Sequence, residues 1–124
     1  MRENGEPWGF ELIIDAGGCN DLVKDAAYIS DFAIAMVEVL GMEPFGLPQV
    51  VHFGNDYLEG NTLVQLIYTS NITAHFNDVD QSAYLNIFSC KRFDQNDAIK
   101  CFGDWFQPQT LKTKFISRDA DAIN

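Results

Sequence analysis

The sequence has 124 residues, the length of one domain, which excludes a two-domain enzyme. Its 18 acidic and 8 basic side chains leave a formal charge of -10 at pH 7, a sign that repels phosphate backbones and argues against nucleic-acid binding. Hydrophobic residues make up 47% and include ten Phe, enough apolar surface for a packed core and too much for an acidic disordered chain. Cys19, Cys90 and Cys101 are odd in number and show no paired spacing, so the sequence suggests neither a disulfide framework nor a zinc site. No run approaches the roughly 18–20 apolar residues of a membrane span, and Met1-Arg2-Glu3-Asn4-Gly5-Glu6 lacks the apolar stretch of a signal peptide. The expectation is a cytoplasmic protein with reduced thiols and neither membrane nor nucleic-acid partner.

Residues 8–15 read as a first strand, stopped by the turn-forming run Ala16-Gly17-Gly18-Cys19-Asn20-Asp21. Asp21 then stands where a helix N-cap belongs. From 22 to 41 the pattern is helical, with Ala26, Ile29, Ala33, Met36, Val37 and Leu40 on one stripe and Gly41 as the stop. Strands follow at 49–53 and 62–68, joined by a loop, and a further strand at 82–90 alternates well enough to bury one face. Residues 94–106 form a second amphipathic helix, in which Cys101 reads as core, and 109–117 a last strand, leaving 118–124 as a fraying tail. The order βαβββαβ predicts an α+β two-layer sandwich, a mostly antiparallel sheet with two helices on one face. The other face, with residues such as Tyr68, Asn86 and Phe88, stays bare, and a homodimer built sheet to sheet would cover it.

One polar cluster stands out. The run Thr69-Ser70-Asn71-Ile72-Thr73-Ala74-His75 puts a hydroxyl five residues before one of only two histidines. In a regular strand that separation points the two side chains to opposite faces, so a shared site requires a bend between them. The strand ending Phe88-Ser89-Cys90 could return antiparallel and bring Cys90 to Ser70, so that Ser, His and Cys converge. Taken singly, these are an ordinary strand hydroxyl, a half-buried polar ring and a small hydrophobe. Their spacing is what carries meaning.

On Gly60-Asn61-Thr62, Ser70-Asn71-Ile72 with His75, and Ala83-Tyr84-Leu85-Asn86-Ile87-Phe88-Ser89-Cys90, the chain resembles the prokaryotic S-adenosylmethionine decarboxylase family of pyruvoyl-dependent proenzymes. In that family a serine is followed after five residues by histidine and after twenty by cysteine, and preceded by eight by a serine or threonine. Ser70, His75, Cys90 and Thr62 occupy those positions. The resemblance implies self-cleavage between Thr69 and Ser70, with the Ser70 hydroxyl attacking the Thr69 carbonyl, Thr62 helping, and His75 removing the Ser70 α-proton. Elimination and hydrolysis would convert Ser70 into a covalent pyruvoyl cofactor. That keto group would join the substrate amine as a Schiff base and accept the electrons released with CO2, and Cys90 would return a proton.

The implied activity is decarboxylation of S-adenosylmethionine in polyamine (spermidine) biosynthesis, and the acidic surface agrees with a cationic substrate. Where the family usually has Thr-Trp-Pro-Glu after the histidine to hold adenine and ribose, this chain has Phe76, Asn77, Asp78 and Val79. By residue type, Phe76 or Tyr57 would offer a stacking face and Asp78 or Asp80 a ribose acceptor. Two alternatives stay open: a pyruvoyl decarboxylase of another cationic amino acid such as ornithine or arginine, and a non-processing, non-enzymatic relative.

Overall fold

The computed structural model describes residue 2 and residues 5–121. Phe10, Leu12, Ile14 and Ala16 alternate with polar or less buried residues in β1, Gly9–Gly17, so one face of this strand is core and the other is not. A turn of 3-10 helix at Asp21–Lys24 leads into α1, Ala26–Val39. The caps differ from the single Asp21 cap expected: Asn20 accepts from the Leu22 amide, and Asp25 accepts from the Tyr28 amide to start α1. A capped four-residue turn and a capped 14-residue helix, with a break at Asp25, replace one continuous helix. Ile29, Ala33, Met36, Val37 and Leu40 are buried as the stripe predicts, but Phe32 joins them and Ala26 is exposed, because the helix proper only begins there. Gly41, at φ 67, closes α1 with its amide on Glu38 and that of Met42 on Val37, so the left-handed position falls on the residue that tolerates it.

The remaining elements are β2, Gln49–Phe53; β3, Gly60–Ile67; β4, Ser70–Asn77; β5, Ala83–Ser89; α2, Gln95–Phe106, capped by Asp94; and β6, Thr110–Arg118. The sheet runs β2-β3-β4-β5-β1-β6, and every neighbouring pair is antiparallel. The α+β sandwich is therefore the architecture found, with six strands where the sequence reading has five. The added strand is β4. Its Ser70, Ile72, Ala74 and Phe76 are buried while Asn71, Thr73 and His75 are less so, a period of two within a segment whose polar residues draw attention to chemistry first. At the other end of the chain, Arg118 is the last residue of β6 and pairs with Glu11, so the tail begins later than expected; residues 122–124 lie outside the described residues.

Both helices cover one face. Phe32 meets Phe102 and Phe106 edge to face, Phe106 lies 4.9 Å from the Phe76 ring of β4, and the Tyr28 hydroxyl donates to the Trp105 carbonyl at 2.6 Å. The opposite face carries Thr62, Val64, Leu66, Thr73, His75, Tyr84 and Asn86, and no helix packs on it among the described residues. Tyr68 is not part of it: the residue sits in the β3–β4 turn with its ring edge on Phe45. No helix among the described residues is long and apolar enough to cross a membrane.

Gly60 opens β3 where Phe53 and Asn77 flank it on the neighbouring strands, and a Cβ there would collide with the Phe76 carbonyl oxygen. Because that obstacle is backbone in the middle of the sheet, Gly60→Ala should lower stability by about 1–3 kcal/mol in urea unfolding. An unchanged midpoint would show that the strands there separate freely.

Candidate active site

The β3–β4 connection has two residues. Ile67 pairs with Ser70, leaving Tyr68 and Thr69 as the whole turn, and Thr69 takes φ 63. Two-residue turns ordinarily place glycine or asparagine where φ is positive. Among the described residues three other non-glycines share this region, Asp56, Gln81 and Gln107, but Thr69 is the β-branched one, for which a left-handed backbone is an outlier. A residue so held stores on the order of 1–3 kcal/mol.

The strand partners fix what surrounds it. Ser70 pairs with Ser89, and the Ser70 hydroxyl donates to Ser89 Oγ at 3.0 Å; Ser89, fully buried, donates onward to the Lys91 carbonyl at 2.6 Å and accepts from the Lys91 amide. Cys90 follows directly, and its thiol lies 2.7 Å from Thr69 Oγ1, which itself donates to the Tyr68 carbonyl. Ser70 and Cys90 are thus brought to one end of the sheet, as an antiparallel return predicts, although it is β4 and not the strand before it that β5 pairs with. Loop residues Gly41, Met42 and Glu43, with Tyr68 and Lys91, complete a cavity of about 400 Å³ beside Thr69 and Ser70.

His75 lies elsewhere. No bend interrupts β4 between Ser70 and His75, so the two side chains project from opposite faces, about 17 Å apart along the strand at its normal rise. The expected convergence of all three residues within one chain is therefore corrected: Ser70 and Cys90 come together, and His75 does not join them. It pairs instead with Thr62, whose Oγ1 is 2.9 Å from His75 Nδ1 on the bare face, with Phe53 and Tyr84 as neighbours. Thr62 and His75 thus form a second polar unit.

The other residues named from sequence divide. Phe76 is fully buried under α2 and offers no stacking face, because its parity in β4 points it to the helices. Tyr57 is exposed. The Ser82 hydroxyl and amide occupy Asp80 and hold its carboxyl below the ordinary range. Cys101 is core, and burial pushes its thiol up to about 11; burial does the same to Cys19, so neither is a thiolate near neutrality. Sequence reasoning passed over Ser89, the partner of Ser70, although its place just before Cys90 would have paired it had β4 been read as a strand.

The S-adenosylmethionine decarboxylase family model matches residues 10–119. The crystal structure of the adenosylmethionine decarboxylase from Aquifex aeolicus VF5 is similar to this one with a TM-score of 0.80, covering 97% of this chain and 99% of that one at 15% sequence identity, a likeness of fold. No curated protein sequence matches the chain. The match over nearly the whole sheet and both helices places the chain in the S-adenosylmethionine decarboxylase family, and so among the carboxy-lyases.

If the turn stores strain at Thr69, Thr69→Gly should keep the stability of the native chain or raise it by about 1 kcal/mol. Thr69→Val, which keeps the branching and loses both Oγ1 hydrogen bonds, should lower it. A glycine variant less stable than the valine variant would contradict the strain.

Proposed function

We propose that this decarboxylase is a self-processing, pyruvoyl-dependent enzyme that acts on S-adenosylmethionine in spermidine biosynthesis. The observation that carries the reading is Thr69, a β-branched residue at φ 63 immediately before Ser70 and hydrogen-bonded to the Cys90 thiol. A strained carbonyl next to a serine hydroxyl suits an acyl shift, since attack by Ser70 Oγ on the Thr69 carbonyl carbon breaks the Thr69–Ser70 peptide bond and releases the strain. The chain would divide into residues 1–69 and 70–124. Ser70 suits a cofactor made in place because it faces a cavity of about 400 Å³. Once formed, the pyruvoyl group supplies an electron sink for the carbon that loses CO2. Cys90, one residue beyond the Ser70 partner, is the proton donor in this reading.

The role of His75 requires a second copy. On its own chain it faces away from Ser70, whereas a homodimer packed through the bare faces would bring the Thr62–His75 pair to the partner copy's scissile end. The exposed Phe53, Leu66 and Tyr84 give such a face apolar area to bury. His75 of the second copy then removes the Ser70 α-proton, with Thr62 Oγ1 on Nδ1 holding the ring so that Nε2 is the base. The formal charge of -10 favours a sulfonium-bearing substrate. A cytoplasmic location is the one that keeps the Cys90 thiol reduced.

Mass spectrometry of purified protein should give two fragments divided between Thr69 and Ser70, and Ser70→Ala should fold and stay intact. An intact native chain after long incubation, or a cut Ser70→Ala chain, would overturn self-processing. Cys90→Ala should be cut normally and lose about 100-fold in CO2 release from S-adenosylmethionine. Release from ornithine or arginine in place of S-adenosylmethionine would overturn the substrate.

A further inference from the structure

A cluster outside that reading lies at the opposite end of the sheet from the Tyr68-Thr69 turn, where β2 ends, β3 begins and β4 ends. His52 belongs to β2, Glu59 immediately precedes β3 and Asp78 immediately follows β4. His52 Nε2 is 2.8 Å from Glu59 Oε2 and 3.5 Å from Asp78 Oδ2, and one ligand atom from each residue lies within 4.8 Å of the other two.

The second ring nitrogen decides what Nε2 can be. His52 Nδ1 is 3.1 Å from Asn61 Oδ1, and the Asn61 amide nitrogen, deeply buried, donates to the Val23 carbonyl at 3.2 Å. That second bond turns the amide oxygen toward the ring, so Nδ1 carries the hydrogen and donates it. Nε2 of the neutral ring then directs a lone pair at two carboxylates, which have only lone pairs to offer. The three groups stay together only with a cation among them, a second ring proton or a metal ion. A proton on Nε2 serves Glu59, and it leaves Asp78 Oδ1 buried with no hydrogen-bond partner among the described residues. A metal ion compensates both carboxylates at once.

We propose that His52, Glu59 and Asp78 bind one divalent transition-metal ion, for which zinc is the best match. One imidazole and two carboxylates with bonds of about 2.0–2.2 Å make a three-ligand zinc set with a fourth position for water, whereas calcium and magnesium prefer all-oxygen sites. Asn61 is the positioning residue: a ligand histidine ordinarily donates its other N–H to a carbonyl or carboxylate, which fixes the tautomer. His52 and Glu59 side chains are 42% and 47% exposed, so their ligand atoms can close on an ion without moving the backbone. The bound ion would tie the end of edge strand β2 and the loop at 54–59 to the end of β4.

The test uses untagged full-length protein freed of metal by chelator dialysis, titrated with Zn2+ by calorimetry and with Co2+ by absorbance. One equivalent of Zn2+ per chain is expected, with affinity on the order of 100-fold weaker in His52→Gln and in Asp78→Asn. Glu59→Gln, a change in a half-exposed loop side chain, should weaken it too while the circular dichroism of the metal-free chain stays that of the native protein. Absence of Zn2+ binding in the micromolar range would overturn the site, as would binding by all three variants as tight as that of the native chain. A Co2+ spectrum with thiolate charge-transfer bands would assign the ion to a cysteine and overturn it as well.

Discussion

The two-residue turn between β3 and β4 is the constraint on which the rest of the molecule depends. Pairing Ile67 with Ser70 forces Thr69 into a left-handed backbone and at the same time sets the register that puts Thr62 opposite His75. A slip of one residue would send every side chain of β4 to the other face, with His75 under the helices and Ile72 in water. The register is held from the far side as well, because β5 pairs Ser70 with Ser89 and Ile72 with Ile87, and the apolar partners are fully buried beneath α2 and α1. Strain at one peptide is thus balanced by burial spread over three strands, which is how a residue in a costly conformation persists.

Much of this was legible in the sequence where a single period ran uninterrupted. The stripe of α1, the second amphipathic helix and the alternation of β5 each followed from local chemistry, and so did the two-layer arrangement. What escaped was β4, whose alternation was plain but carried by Ser, Asn, Thr and His, residues that a propensity reading assigns to turns and sites. That omission had a consequence for chemistry: without a strand at 70–77, a bend between Ser70 and His75 was the natural way to unite them. Burial could not be read for Phe76 either, since its face is decided by the register and not by its type. The Ser70–Cys90 neighbourhood was foreseeable from spacing, while the split between that pair and the Thr62–His75 pair needed the parity of a regular strand.

The two ends of β3 and β4 do different work in this picture. At the turn end, strain and a thiol surround a serine; at the other, a histidine whose Nδ1 is held by Asn61 faces two carboxylates. Between them runs the bare face, on which Thr62 and His75 sit beside aromatic rings with no covering element among the described residues. A sheet of this kind is a working surface only when a second surface meets it, which is why the proposed chemistry depends on assembly as much as on any single side chain.

That dependence can be measured directly by mixing two defective chains. Ser70→Ala and His75→Ala chains, each uncut when expressed alone, are co-expressed, and mixed dimers are isolated by distinguishable tags. The account predicts that the His75→Ala chain, which keeps Ser70, is cut within the mixed dimer by the histidine of its partner. Mixed dimers in which that chain stays intact, or a His75→Ala chain that cuts itself alone, would contradict it.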